Sequence, residues 1–171
     1  VTHVTGYSYG LEATFGFGLH VTLMEKWDAA RAVELIDAHG VEFTIGATPF
    51  LQELVEQAER KGTALPSLKI FACGGAAVPP ELIRRANAVF ANCRAFRVFG
   101  SSECPVVTQG VLDDPELAAT TDGKVFDWEV KLVDADGNAV ATGMEGEILA
   151  RGPSLFRGYT SAEANREAFD P

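Results

Sequence analysis

Through its first hundred positions the chain alternates short apolar runs with longer stretches whose apolar residues recur at helical spacing, and glycine or proline marks the junctions. This alternation constrains the fold more than any other feature. Short apolar runs bounded by turn residues read as buried strands, and helical stretches between them read as crossovers. His20-Val21-Thr22-Leu23-Met24 reads as a short strand after a glycine- and aromatic-rich opening. Asp28 then predicts a helix cap, with Ala29, Ala32, Val33 and Ile36 along one face and Gly40 as the stop. Val41 to Ile45 returns to strand composition. Thr48-Pro49 reads as a cap followed by a first-turn proline, and Leu51, Leu54, Val55 and Ala58 form a stripe closed by Gly62. Lys69 to Cys73 predicts a strand running into Gly74-Gly75. Pro79-Pro80-Glu81 opens a helix with Leu82, Ile83, Ala86 and Phe90, and Ala95 to Phe99 is the next strand, ending at Gly100. The expected fold is α/β, a mainly parallel sheet flanked by helices on both faces.

The pattern changes after about residue 120. Glu129-Val130-Lys131-Leu132-Val133 alternates with period two, Asp136-Gly137-Asn138 supplies a turn, and Gly146 to Arg151 alternates again. Residues 1–110 are therefore expected to form an α/β subdomain, and residues 111–171 a connection and the start of a small antiparallel β subdomain. The chain ends at Phe169-Asp170-Pro171 with neither a helix stop nor a terminal strand, and reads as cut rather than finished.

Composition narrows the function classes. Acidic residues outnumber basic ones 24 to 14, a net charge of −10 that disfavours nucleic acid as a partner, because phosphate backbones are held by clustered Lys and Arg. Small anions remain open, since backbone amides at loops and helix ends hold them locally. No apolar run approaches the ~20 residues of a membrane span, so no integral membrane segment is expected. The three cysteines, Cys73, Cys93 and Cys104, lack metal-type spacing and read as reduced thiols of a cytoplasmic protein.

In parallel sheets, ligands sit beyond the carboxyl ends of the strands. Here those ends carry Gly74-Gly75-Ala76-Ala77 and Gly100-Ser101-Ser102-Glu103, small residues where a ligand needs close backbone approach. Phe99 offers a ring to stack on a planar base. The Ser101 and Ser102 hydroxyls can donate to phosphate oxygens, and Glu103 is a hard oxygen ligand suited to Mg²⁺. Taken alone, each piece has a plainer reading: a Gly-Ser turn with a solvated glutamate, and a tight strand-to-helix turn. His3, beside Gly6, Tyr7 and Tyr9, sits in what reads as a loop that lines or gates a pocket, or is incidental.

In order and spacing, these pieces resemble the adenylate-forming superfamily of acyl-CoA synthetases, luciferases and peptide-synthetase adenylation domains. Gly74-Gly75-Ala76-Ala77-Val78-Pro79 precedes a helix, and Val98-Phe99-Gly100-Ser101-Ser102-Glu103 is similar to the family's Tyr-Gly-x-Thr-Glu signature. Gly146-Glu147-Ile148 and the segment from Gly152 to Tyr159 look like its Gly-Glu and Gly-Tyr segments. The resemblance implies a two-step reaction, in which a carboxylic acid attacks the α-phosphorus of Mg-ATP and a thiol such as coenzyme A then displaces AMP. It implies Gly75, Ala76 and Ala77 along the adenine, Phe99 stacked on it, and Val98, Gly100 and Ser101 beside the nucleotide. It also implies Ser102 on the α-phosphate, Glu103 on Mg²⁺, and His3, Tyr7, Gly74, Gly100 and Pro105 around the acyl group.

The departures are informative. Phe99 stands where the family has Tyr, Ser102 stands where it has Thr, and Thr121-Asp122-Gly123-Lys124-Val125 is poorer in glycine than the common form. The family's phosphate loop would precede His3. Its ribose-binding Asp and its C-terminal domain with a catalytic Lys would follow Pro171. The chain thus resembles the central part of the large N-terminal domain of a fatty-acid–CoA ligase, completed by the remaining segments of its own parent chain and expected to be inactive alone. Two other readings stand beside it: an adenylation domain loading an acid onto a carrier protein, and a non-catalytic nucleotide-binding or interaction module. The absence of an acidic residue between His3 and Gly10, where an amino-acid activator offers one to the substrate ammonium, tilts toward simple carboxylic acids.

Overall fold

The computed structural model describes residues 3–169. The chain end at Asp170-Pro171, which reads as cut, lies outside them.

The glycine- and aromatic-rich opening is helical, not a loop. Helix α1 (Val4–Tyr7) passes through a π-helical turn (Ser8–Glu12) into α2 (Ala13–Phe17). No proline interrupts this stretch, and each glycine keeps its N–H, so it costs only about 1 kcal/mol relative to alanine. The expected strand at His20–Met24 does not form. Met24 and Trp27 instead pack on the core, and the Trp27 indole donates to Glu53 Oε2 at 2.7 Å.

Helix α3 (Ala29–His39) starts as expected: the Asp28 carboxylate accepts from Arg31 N at 2.9 Å, and Gly40 closes it in the left-handed region. Strand β1 (Phe43–Gly46) leads to α4 (Thr48–Lys61), whose cap position is Ala47. Thr48 is therefore not the cap. It lies inside the first turn, and its hydroxyl donates to Ala77 O at 3.0 Å, tying α4 to the turn after β2. Strand β2 (Ile70–Cys73), helix α5 (Pro80–Val89) and strand β3 (Arg94–Arg97) complete the α/β unit.

The three strands form a parallel sheet in the order β1-β2-β3, with Ala72 opposite Ile45 on one side and Phe96 on the other. Because side chains alternate, Phe71, Cys73 and Ala95 face the same way, and α3, α4 and α5 bury Val33, Leu51, Leu54, Val55 and Ile83 against them. The opposite face, with Ile45, Ala72, Phe96 and Val98, is smaller and meets Ala118 of α6 (Pro115–Thr120). The Asn87 amide on α5 bonds both Ala95 N (2.8 Å) and Ala95 O (3.1 Å), satisfying the outer edge of β3.

Strands β4 (Thr108–Gln109) and β5 (Lys124–Val125) pair antiparallel around α6. Strands β6 (Glu129–Val133) and β7 (Glu147–Arg151) form the expected antiparallel ribbon, from Glu129 opposite Arg151 to Val133 opposite Glu147. The Asp134 carboxylate holds the turn by accepting from Asp136 N and Asn138 N. Helix α7 (Ala162–Ala168) follows. Among the described residues no helix is long and apolar enough to cross a membrane.

Candidate functional site

The parallel sheet brings the carboxyl ends of β2 and β3 to one edge. The ladder continues one residue past each strand: Val98 N donates to Cys73 O at 2.9 Å, and Gly74 N donates to Gly46 O at 3.2 Å. Gly74 and Val98 are in direct contact, since a Cβ on Gly74 would lie 2.5 Å from Val98 O and 2.8 Å from Val98 Cγ2. Only glycine fits there. Beyond it, Gly75 at φ 79° turns the chain out of the strand, and Ala76 and Ala77 lie exposed before buried Val78 leads into α5. The two tips therefore meet at Gly74 and Val98. No bulky side chain covers Gly75, Ala76, Ala77, Ser101 or Ser102, all of which are exposed.

The second tip is held from below. Phe99 pairs with Thr108: its N–H donates to Thr108 Oγ1 and its carbonyl accepts from Thr108 N, both at 3.1 Å. The Thr108 hydroxyl in turn donates to Asp122 O, and Arg97 forms an ion pair with the Asp122 carboxylate at 2.7 Å. Gly123 closes this contact. Its φ is 89°, and a Cβ there would lie 1.9 Å from Gln109 O, so the departure at 121–125 retains the one glycine that the packing demands. Arg97, Thr108 and Asp122 support the tip without being visible as a motif, because their contacts join segments far apart in sequence.

The loop after Gly100 is a tight turn. Ser101 N donates to Cys104 O at 3.0 Å, and Ser101 Oγ accepts from Glu103 N at 3.2 Å and Cys104 N at 3.3 Å. Ser102 is exposed and makes no side-chain hydrogen bond among the described residues. The Glu103 carboxylate accepts a 2.6 Å bond from the Tyr159 hydroxyl. That bond, followed by the Ser101 hydroxyl, holds the Glu103 pKa below the usual carboxylate value, so the group is an anion at neutral pH. The same bond, ahead of burial, raises the Tyr159 phenol.

Among the described residues no three His, Cys, Asp or Glu side chains gather as a metal cage. Glu103 is thus a single ionised carboxylate at an open edge. This donor set suits Mg²⁺, which commonly takes one or two protein carboxylates and completes its octahedron with water and phosphate oxygens.

Pro105 belongs to the same loop as Gly100 and Glu103. Among the described residues His3 and Tyr7 share no hydrogen bond with this cluster. The His3 ring accepts from Thr5 N at 3.3 Å and caps its own helix. That helical segment reaches the sheet through Tyr9, whose ring lies 5.4 Å from Phe43. Phe43 is the first residue of β1, so the contact is at the end of the strand opposite the tips. Two open grooves also lie elsewhere, one around Trp128, Glu129 and Arg151 and the other around Arg84, Asn87 and Arg94.

A family model described as AMP-binding enzyme matches residues 1–160. The chain belongs to the AMP-binding enzyme family. Members of this family are adenylate-forming ligases, and the resemblance carried by Gly74–Pro79, Val98–Glu103 and the later Gly-Glu and Gly-Tyr segments is borne out. Over 159 residues the chain is 31% identical to the medium-chain fatty-acid–CoA ligase of Escherichia coli K12, covering 92% of this chain and 28% of that protein. Over 144 residues it is 35% identical to the Mycobacterium tuberculosis salicyl-AMP ligase / salicyl-S-ArCP synthetase, covering 82% of this chain and 25% of that protein. The chain therefore spans between a quarter and a third of these relatives. Its fold matches that of Bacillus subtilis O-succinylbenzoate coenzyme A synthetase, solved in complex with ATP and magnesium ion, at a TM-score of 0.80 and 24% identity, over 98% of this chain and 34% of that one.

Proposed function

We propose that the protein carrying this segment is an AMP-forming acyl-CoA synthetase, which joins a carboxylic acid to coenzyme A at the expense of ATP. The direct contact of Gly74 with Val98 carries the reading, because it sets two small-residue strand ends beside each other, with Gly75, Ala76, Ala77, Ser101 and Ser102 exposed. In this reading Gly75, Ala76 and Ala77 lie along the adenine, Phe99 stacks on it, and Val98, Gly100 and Ser101 line the nucleotide. The Ser102 hydroxyl, which has no hydrogen-bond partner among the described residues, bonds the α-phosphate, and Glu103 is the protein's ligand to Mg²⁺. When bound, that cation supplies charge neutralisation on the phosphates. Gly74, Gly100 and Pro105 border the acid. His3 and Tyr7, on the helical segment that reaches the sheet through Tyr9, join them there in this reading.

The chemistry asks little of a protein nucleophile. A carboxylate oxygen attacks the α-phosphorus and pyrophosphate leaves; the thiol sulfur then attacks the acyl carbon and AMP leaves. Positioning and charge stabilisation are the protein's contribution: the small-residue tips allow close approach of the nucleotide, and Glu103 offers a ligand to the cation that neutralises phosphate charge. The name of the Escherichia coli relative supports coenzyme A as the acceptor. That of the Mycobacterium relative, a salicyl-S-ArCP synthetase, supports a second reading in which the acyl group is passed to a carrier protein.

The experiment is a pyrophosphate-exchange screen of the full-length protein against aliphatic, alicyclic and aryl acids, followed by a thioester assay with coenzyme A. Exchange that depends on one acid class, with a coenzyme A thioester as product, is the expected result. Exchange without that thioester selects the carrier-loading reading. Nucleotide binding with no acid-dependent exchange across the panel refutes both and leaves a binding module.

A further inference from the structure

The last part of the chain folds back onto the Glu103 loop and grips it twice. Phe156 N donates to Glu103 O at 2.8 Å, and the Tyr159 hydroxyl donates to Glu103 Oε1 at 2.6 Å. Tyr159 is itself clamped. Asn165 Oδ1 accepts from Tyr159 N at 2.6 Å, and Asn165 Nδ2 donates to Tyr159 O at 2.9 Å. Asn165 stands on α7, whose start is fixed by Ser161 Oγ accepting from Ala164 N. The Phe156 ring packs edge-on against Tyr159 at 4.8 Å and stacks on Phe169 at 5.1 Å, so the segment approaches Glu103 as a packed unit.

We infer that Tyr159 is a positioning residue for Glu103, clamped by Asn165, and that it orients the carboxylate for a divalent cation. The inference rests on the reading of Glu103 as a cation ligand. A glutamate at an open edge is otherwise free to rotate about each side-chain bond, and ordering it on binding costs entropy. A cation that demands near-octahedral geometry gains from a ligand ordered beforehand. One phenolic donor occupies one of the carboxylate's roughly four lone-pair sites and leaves the others open, so orientation is gained without blocking coordination. Packing alone does not require the hydroxyl. Phenylalanine would present the same ring to Phe156, and the bonds from Asn165 go to the main chain of residue 159 and survive the change.

Two measurements on the full-length protein separate orientation from scaffolding. The first is Mn²⁺ affinity, by electron paramagnetic resonance, in the presence of a non-hydrolysable ATP analogue. The second is the Mg²⁺ dependence of pyrophosphate exchange. Tyr159→Phe is expected to weaken Mn²⁺ binding by roughly three- to tenfold, the scale of one hydrogen bond to a charged group partly screened by water. It should raise the apparent KM for Mg²⁺ by a similar factor and act on that KM more than on kcat. Asn165→Ala should move both quantities the same way by less, and Glu103→Gln should weaken Mn²⁺ more than either. Wild-type Mn²⁺ affinity in Tyr159→Phe beside a weakened Glu103→Gln overturns the positioning role and leaves Glu103 a ligand. A lowered melting temperature with unchanged Mn²⁺ affinity does the same. Unchanged affinity in Glu103→Gln overturns both the positioning role and the assignment on which it rests.

Discussion

Gly74 and Cys73 are neighbours at the tip of β2, and each sets a different limit on the site. Gly74→Ala would drive a methyl group to 2.5 Å from Val98 O, a backbone atom that cannot rotate away. The tips must then part, at a cost of about 1–3 kcal/mol typical of overpacking. A fall of roughly 2–4 °C in Tm per kcal/mol is expected, together with reduced pyrophosphate exchange in the full-length protein. A variant with wild-type Tm and exchange would show that the tips need not touch. Cys73 is fully buried, and burial pushes its thiol up to about 11, against smaller opposing effects from the Thr48 hydroxyl and the Arg97 charge. Burial likewise raises Cys93 to about 12. Both folded-state values exceed the unfolded one, so the folded chain holds these protons more tightly. Their stabilising contribution is complete below the unfolded thiol pKa of 9.0 and is lost as pH rises through the folded values. The urea midpoint should therefore fall between about pH 9 and 11, and fall less steeply in Cys73→Ala; parallel profiles would show that Cys73 does not contribute.

Elements were legible where periodicity and punctuation agreed. Helices α3, α4 and α5 carry stripes of four or three apolar residues, bounded at their starts by Asp28, Pro49 and Pro80, and these stripes form the core. Strands β2 and β3 were legible as short apolar runs ending in glycine-rich segments, which is why the residue types of the candidate site could be listed before any geometry. Failures came where one local signal served two conformations. Gly6 and Gly10 mark a loop by composition, yet the stretch from Val4 to Phe17 is helical because nothing removes its N–H donors. Val21, Leu23 and Met24 have strand composition but no neighbouring strand to pair with, and Met24 is used in packing. Thr48 next to Pro49 imitates a cap, whereas its hydroxyl serves the turn at Ala77. The supports of the site were illegible for a different reason. Arg97 with Asp122, and Glu103 with Tyr159, are pairs 25 and 56 positions apart, and only tertiary folding brings them together.

At the scale of the molecule, an exposed edge limits what the chain can do by itself. Gly75, Ala76, Ala77, Ser101 and Ser102 face solvent, and the net charge is −10. In bulk water two unit charges 4 Å apart interact by about 1 kcal/mol, against about 4 kcal/mol at the effective dielectric of a protein surface. Charge stabilisation on a transferring phosphate therefore needs walls that exclude water as well as ligands that point the right way. This chain corresponds to a quarter to a third of its relatives, so most of the surface of such an enzyme is contributed by other segments. The isolated 171-residue chain is accordingly expected to release no acid-dependent pyrophosphate from Mg-ATP and to form no thioester, while the full-length protein does both. Labelled pyrophosphate exchange on the two proteins side by side makes the comparison. Acid-dependent exchange by the isolated chain at a rate comparable to the full-length protein would mean that the open pair of strand tips suffices for adenylation and that enclosure is dispensable.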